Sequence, residues 1–244
     1  MATGQPFVVP ARWNAQQREA AARVANLRDP FIVPDEWTIE QRLAALHRIA
    51  WDGKSDPRVR AAARRIRAEA DRLAPFVPSR AGHWYARLLA LETLRFVHQI
   101  PYLPDPPGKD RFAPVWWTLE NGGDCDDLAA AYESLGCSNG LRTHTDWVTQ
   151  PGATLDHVTN MTWIDGSDLW SESSVPGAVL GESPYHAIER QGAWHVMGDT
   201  RAPAPDGVGA KAFQWDGWSL YWNGWPVSWF QRHYPYFFHP LRRA

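Results

Sequence analysis

Gly122-Gly123-Asp124-Cys125-Asp126-Asp127-Leu128-Ala129 joins a glycine turn to the start of a helical pattern and sets one of the chain's two cysteines at the junction. Backbone N–H groups in the first turn of a helix lack intrahelical partners, and the helix dipole is positive there. A thiol in that position can ionise, and an oxyanion forming beside it can be bound by the same N–H groups. Leu128, Ala129, Tyr132 and Leu135 recur at helical spacing as far as Gly136, where the helix is expected to stop. Asp124 is expected at the N-cap, with Asp126 and Asp127 favouring the dipole or holding the loop. Asp126 and Asp127 should also raise the thiol pKa, so that thiolate formation depends on His157 becoming imidazolium.

Three runs with strand character follow, Arg142 to Val148, His157 to Ile164 and Leu169 to Ser173. Asp165-Gly166 between the last two is a hairpin signal. A two-residue turn sets Glu172 opposite Thr159, and a four-residue turn sets it opposite Met161. Side-chain alternation keeps Glu172 on the face of His157 in either register. A cysteine nucleophile needs a base and a group to orient that base, and His157 and Glu172 are the candidates. Asp165 is a rival orienting acid whose place in the turn already accounts for it. Cys125 lies on another element, so the trio reads either as a catalytic set or as unrelated buried polar residues.

A helix of about 11 residues between Cys125 and Cys137 would hold them roughly 16 Å apart, too far for a disulfide. Both are expected as free thiols, Cys137 as a small buried hydrophobe. A zinc site from Cys125, His157 and an acid lacks the Cys-x-x-Cys or His-x-x-x-His spacing, so neither metal nor cofactor is expected.

The net charge of the 244 residues is only -2, with 44% hydrophobic and 21% charged residues, which gives no electrostatic case for nucleic acid or a membrane surface. No apolar stretch approaches the roughly 20 residues of a membrane span. Met1-Ala2-Thr3-Gly4-Gln5-Pro6 has neither a basic nor an apolar leader region, so a soluble protein made in the cytoplasm is expected. Its partner is expected to be a protein, a peptide or a glycan.

The N-terminal part repeats itself. Pro6-Phe7-Val8-Val9-Pro10 with Trp13 and Gln17-Arg18 recurs 24 residues later as Pro30-Phe31-Ile32-Val33-Pro34 with Trp37 and Gln41-Arg42. Pro75-Phe76-Val77-Pro78 is a degenerate echo. Asn14 and Thr38 stand three residues before Gln17 and Gln41, as in a capping box. The repeat reads either as paired docking segments or as a duplicated helix anchored on the domain. A helix from Asp56-Pro57 carries Val59, Ala62, Ala63, Ile66, Ala70 and Leu73 on one stripe. Another runs from His83 to Gln99. Residues 103–123 form a Pro/Gly-rich connection, and Phe213 to Ala244 holds an aromatic cluster suited to packing, glycan or partner contact. The expected division is 1–54, an N-terminal repeat or docking segment; 55–200, the core; and 201–244, an aromatic-rich extension.

From Asp56 to Leu180 the chain resembles the transglutaminase-like cysteine-enzyme superfamily, particularly its bacteriophage and prophage versions. The landmarks in order are Asp56-Pro57-Arg58-Val59-Arg60, Phe96-Val97 through Ile100-Pro101-Tyr102, Asp105-Pro106, Thr118-Leu119, Gly123-Asp124-Cys125-Asp126-Asp127-Leu128-Ala129, Asp156-His157-Val158, Trp170-Ser171-Glu172-Ser173-Ser174 and Leu180-Gly181. The resemblance implies an α+β papain-like core, with a cysteine-bearing helix packed on an antiparallel sheet. It makes Cys125 the nucleophile, His157 the base and Glu172 the orienting acid, at a position where the family usually has aspartate. Two functions follow. One is amide or peptide hydrolysis, or acyl transfer, through a thioester, with a protein or cell-wall peptide as substrate. The other is a structural virion protein that uses the repeat and the aromatic extension for subunit contacts. Either implies synthesis in the host cytoplasm and a place in a virion, in the tail or neck.

Overall fold

The computed structural model describes residues 7–76, 84–149, 156–164, 166–176 and 178–181, with short strands at 195–197, 213–215, 220–222 and 225–226. The helices are α1 (Ala15–Arg23), α2 (Ile39–Gly53), α3 (Pro57–Leu73), α4 (Trp84–Val97), α5 (Val115–Asn121) and α6 (Cys125–Ser138). Strands β1 (Phe31–Ile32) and β2 (Arg111–Phe112) form an antiparallel pair among them. The main sheet contains β3 (Arg142–Thr149), β4 (Asp156–Ile164), β5 (Ser167–Ser171) and β6 (His195–Met197), antiparallel in the order β5-β4-β3-β6. A separate antiparallel sheet holds β7 (Phe213–Trp215), β8 (Leu220–Trp222) and β9 (Trp225–Pro226). The architecture is mixed α+β, and no helix among the described residues is long and apolar enough to cross a membrane.

Helix starts follow local chemistry. Asn14 and Gln17 exchange side-chain to backbone bonds at 2.8 and 2.9 Å, and Thr38 and Gln41 do the same, so both expected capping boxes form. Asp56 caps α3 by accepting from the Arg58 N–H at 2.8 Å, and Pro57 occupies the first turn, where its missing N–H removes no bond. The stripe α3 buries is the expected one, Val59, Ala62, Ala63, Ile66, Ala70 and Leu73. On α4 the buried residues include Leu88, Leu91 and Leu94, while Trp84 and Phe96 pack from its edge.

Two expectations need correction. First, α6 does not stop at Gly136 but continues to Ser138, and the chain turns at Gly140 with φ +87°. Gly136 is there for close approach, since a Cβ would come within 2.9 Å of Thr143. Second, the connection over 103–123 contains β2 and α5. The Pro114 carbonyl starts α5 by accepting from Trp117 and Thr118, and its 7 residues are too few to show a helical period.

One continuous apolar cluster joins Leu46 of α2, Leu94 of α4, Tyr132 and Leu135 of α6, and Val158 of β4. Burying each such side chain contributes about 1.5–3 kcal/mol. Helix α6 lies at the centre, in contact with α2, α3, α4, α5, β3 and β4. Cys137 is only partly buried, and its thiol donates to the Thr143 carbonyl at 3.7 Å. Both cysteines are free. Of the aromatic extension, all but β7, β8 and β9 lies outside the described residues, as do Asp165 and the Val77-Pro78 end of the echo.

Candidate functional site

Polar rungs fix α6 on one face of the sheet. Asn160 Nδ2 donates to the Ala129 carbonyl at 3.0 Å, Tyr132 Oη bonds Thr162 and Ser171 hydroxyls at 2.9 and 3.1 Å, and Thr145 donates to Glu133 at 2.7 Å. Residues 129, 132 and 133 share a helix face by their spacing. Thr145, Asn160 and Ser171 are direct partners in the sheet register. These groups are buried, so leaving one unpaired would cost about 1–3 kcal/mol.

Strand β4 carries the base, and the acid directly follows β5. Ile164 pairs with Ser167 and Asn160 with Ser171, the register of a two-residue turn, which carried one step further sets Glu172 opposite Thr159. His157 Nε2 and Glu172 Oε2 are 3.0 Å apart. Glu172 is completely buried, and its Oε1 accepts from the N–H and hydroxyl of Ser174 at 3.0 and 2.8 Å. Burial alone would raise this carboxyl. The His157 hydrogen bond and charge, with the Ser174 donors, outweigh burial and hold it below its ordinary value. The acid is therefore a carboxylate, which can only accept, so His157 donates to it from Nε2.

His98, just past α4, donates Nε2–H to the Glu172 carbonyl at 2.9 Å. Burial lowers its pKa. Neither His98 nor Ser174 stood out as functional in the sequence. A serine two residues after an acid is a local turn signal that could have pointed to Ser174; nothing local points to His98.

Cys125 is set by the glycines before it. Gly122 has φ +93°, and a Cβ there would lie 2.4 Å from the Pro101 carbonyl oxygen. A Cβ on Gly123 would lie 2.4 Å from that of Asp127. Gly123 donates to Pro101 at 3.2 Å and accepts from Leu103 at 2.9 Å, so 101–103 is zipped onto the turn and Tyr102 is placed at its edge. Asp124 occupies the expected N-cap position, but its side chain makes no cap hydrogen bond.

Cys125 retains partial exposure, yet its surroundings are dense enough that burial, then the Asp124 charge and then that of Glu172 push the thiol up to about 12. The backbone N–H groups of Val158 and Asp126 act in the opposite direction. The expected acidic pressure is real, but its leading charge belongs to Asp124 instead of Asp126 or Asp127. The structure thus joins His157 to Glu172 and sets the Cys125 sulfur at the backbone of the residue after His157.

Asp127 accepts from the Ala113 N–H at 2.7 Å and stands 3.8 Å from Arg111. Burial first, and the Asp124 charge second, raise Asp126 and Asp127 well above the carboxylate range. The same order of causes brings Asp105 to about 6. Carboxylate oxygens of Asp124, Asp126 and Asp127, and likewise of Asp105, Asp110 and Asp126, lie within 4.8 Å of one another. These residues could hold a hard cation, for which all-oxygen ligation is the rule. Comparison with family models, with curated proteins and with solved structures found no match to this chain.

Proposed function

We propose that this chain is a cysteine-dependent enzyme with a papain-like, transglutaminase-like core that cleaves or transfers amide acyl groups through a thioester. The carrying observation is the 3.0 Å bond between His157 and Glu172 on the strand whose backbone the Cys125 thiol adjoins. A buried carboxylate on Nε2 fixes the imidazole tautomer and stabilises the imidazolium that forms.

The sulfur attacks the amide carbonyl as its proton passes to His157 Nδ1, and the carbonyl oxygen becomes an oxyanion facing the Cys125 N–H. Collapse forms the thioester and breaks the C–N bond, and the amine leaves with the proton from His157. Water or a second amine then takes up the acyl group and frees the thiol. With the thiol pushed up to about 12, proton transfer accompanies attack instead of preceding it. A protein or cell-wall peptide is the substrate this reading favours, and the phage resemblance adds the virion tail or neck as its place of action.

The test is acylation by p-nitrophenyl acetate. A burst of p-nitrophenolate with an acetyl group on Cys125, lost in Cys125→Ala, slowed in His157→Ala and unchanged in Cys137→Ser, is expected. No acylation of Cys125 would overturn the proposal. The second reading, a structural subunit that keeps the fold for contacts, is favoured by the dense surroundings of Cys125, whose burial pushes the thiol up to about 12. It requires an inert Cys125.

A further inference from the structure

The two copies of the N-terminal repeat share their local structure. In each the tryptophan N–H donates to the second proline of the run, Trp13 to Pro10 and Trp37 to Pro34, both at 3.0 Å. In each an arginine five residues further on donates Nε to the tryptophan carbonyl, Arg18 at 3.0 Å and Arg42 at 3.2 Å.

The copies differ in what their apolar runs touch. Phe31 and Ile32 pair antiparallel with Phe112 and Arg111, and the Val33 N–H donates to the Asp110 carbonyl at 2.9 Å. Arg42 forms an ion pair with Asp110. Val33 is 1% exposed. In the first copy Val9, the counterpart of Val33, is 41% exposed; Val8, like its counterpart Ile32, is exposed in any case. Arg18, the counterpart of Arg42, is exposed, and its remaining contact is with the Ala11 carbonyl at 3.5 Å. No carboxylate among the described residues pairs with it. Phe7 is nevertheless seated, its ring 5.7 Å from those of Trp13 and Trp51 with the Arg48 guanidinium 4.8 Å above it. The run is therefore anchored at Phe7 while its valines face outward.

We propose that Phe7 to Pro10, together with Arg18, is a strand-docking site for an extended segment of another protein in which an aspartate is followed two residues later by a large apolar residue. Asp110-Arg111-Phe112 supplies that chemistry to the second copy, by backbone pairing, by a carboxylate for the arginine and by Phe112, which is buried in one apolar cluster with the valine. Among the described residues, no strand pairs with Phe7 to Pro10 and no carboxylate pairs with Arg18. Strand addition of this kind draws affinity from main-chain hydrogen bonds and specificity from alternate side chains. The occupant is a different protein, because in a second copy of this chain Asp110 to Phe112 is already held by that copy's own β1. This goes beyond the acyl-transfer reading and does not depend on it.

The test is a fluorescein-labelled synthetic peptide with the sequence of residues 105–114, titrated into the full chain and followed by anisotropy. Saturable binding is expected, weakened at least tenfold by Val9→Asp and by Arg18→Glu, and restored on the Arg18→Glu chain by a peptide carrying Asp110→Lys. Val9 is exposed, so thermal unfolding of Val9→Asp should match the parent; Arg18→Glu also loses its bond to Trp13, and rescue by the Asp110→Lys peptide separates lost binding from lost folding. Absence of saturable binding, indifference to Arg18→Glu, or dependence on Arg42 instead would overturn the proposal. So would a concentration-dependent dimer abolished by Val9→Asp, which would make a second copy the occupant.

Discussion

Ser174 donates both its N–H and its hydroxyl to Oε1 of Glu172, leaving Oε2 to meet His157 at 3.0 Å. Ser174 thereby fixes where the glutamate arm ends. Removing the hydroxyl with Ser174→Ala deprives a buried carboxylate of a donor, a loss of about 1.5–3 kcal/mol. Ser174→Thr should retain most of that stability, and urea denaturation of both variants is the measurement.

Stability should fall with acid through Glu172. Its folded pKa lies below the ordinary 4.5, so its contribution is complete above that value and disappears as pH falls through the folded value. Glu172→Gln should flatten this acid limb in urea midpoints measured against pH, at the cost of parent stability near neutrality.

His47 works in the opposite direction. Burial would lower its pKa, but the Glu133 charge and hydrogen bond, at 3.0 Å, raise it above 6.5. Its contribution is complete below 6.5 and is lost as pH rises through the raised folded value. His47→Gln should therefore remove a loss of urea resistance above that pH and leave the acid limb unchanged.

The charge on Asp124 weighs most against the Cys125 thiolate after burial itself. Asp124→Asn keeps a good N-cap residue and removes the charge. Alkylation of Cys125 by iodoacetamide at pH 8 should accelerate several-fold, each pKa unit lowered being worth on the order of tenfold in thiolate. Peptide mass spectrometry separates this from Cys137, whose rate should not change.

Gly122→Ala places a Cβ at φ +93° and against Pro101, and should destabilise by about 1–3 kcal/mol or more. Gly123→Ala should push Asp127, and with it the first turn of α6, away from 101–103. Faster hydrogen exchange confined to Pro101 to Asp127 is the expected signature of the second variant.

Where the signal was local, the sequence was legible. The capping boxes, the buried stripe of α3 and the three strands around the site follow from spacing and turn chemistry, whereas the choice between a two-residue and a four-residue hairpin turn does not. The end of α6 was misplaced because a glycine needed for contact with Thr143 looks, in one dimension, like a glycine that ends a helix. Helix α5 was missed because seven residues show no period. The β1 to β2 pairing and the His98 bond to Glu172 join residues roughly eighty and seventy-four positions apart, and neither leaves a local trace. The same holds for the thiol, whose placement against Val158 depends on packing across the sheet.

The rungs from Ala129, Tyr132 and Glu133 to the sheet act as a gauge as well as an adhesive. Methyl groups in a core can slip past one another with small loss, whereas a helix held by hydrogen bonds has few permitted settings. Moving α6 along its axis by one turn, about 5.4 Å, would strand Asn160, Thr162, Ser171 and Thr145 together in a dry layer. The distance from sulfur to strand is therefore indexed in steps instead of drifting, so side-chain motion at the mouth of the site need not disturb the register behind it.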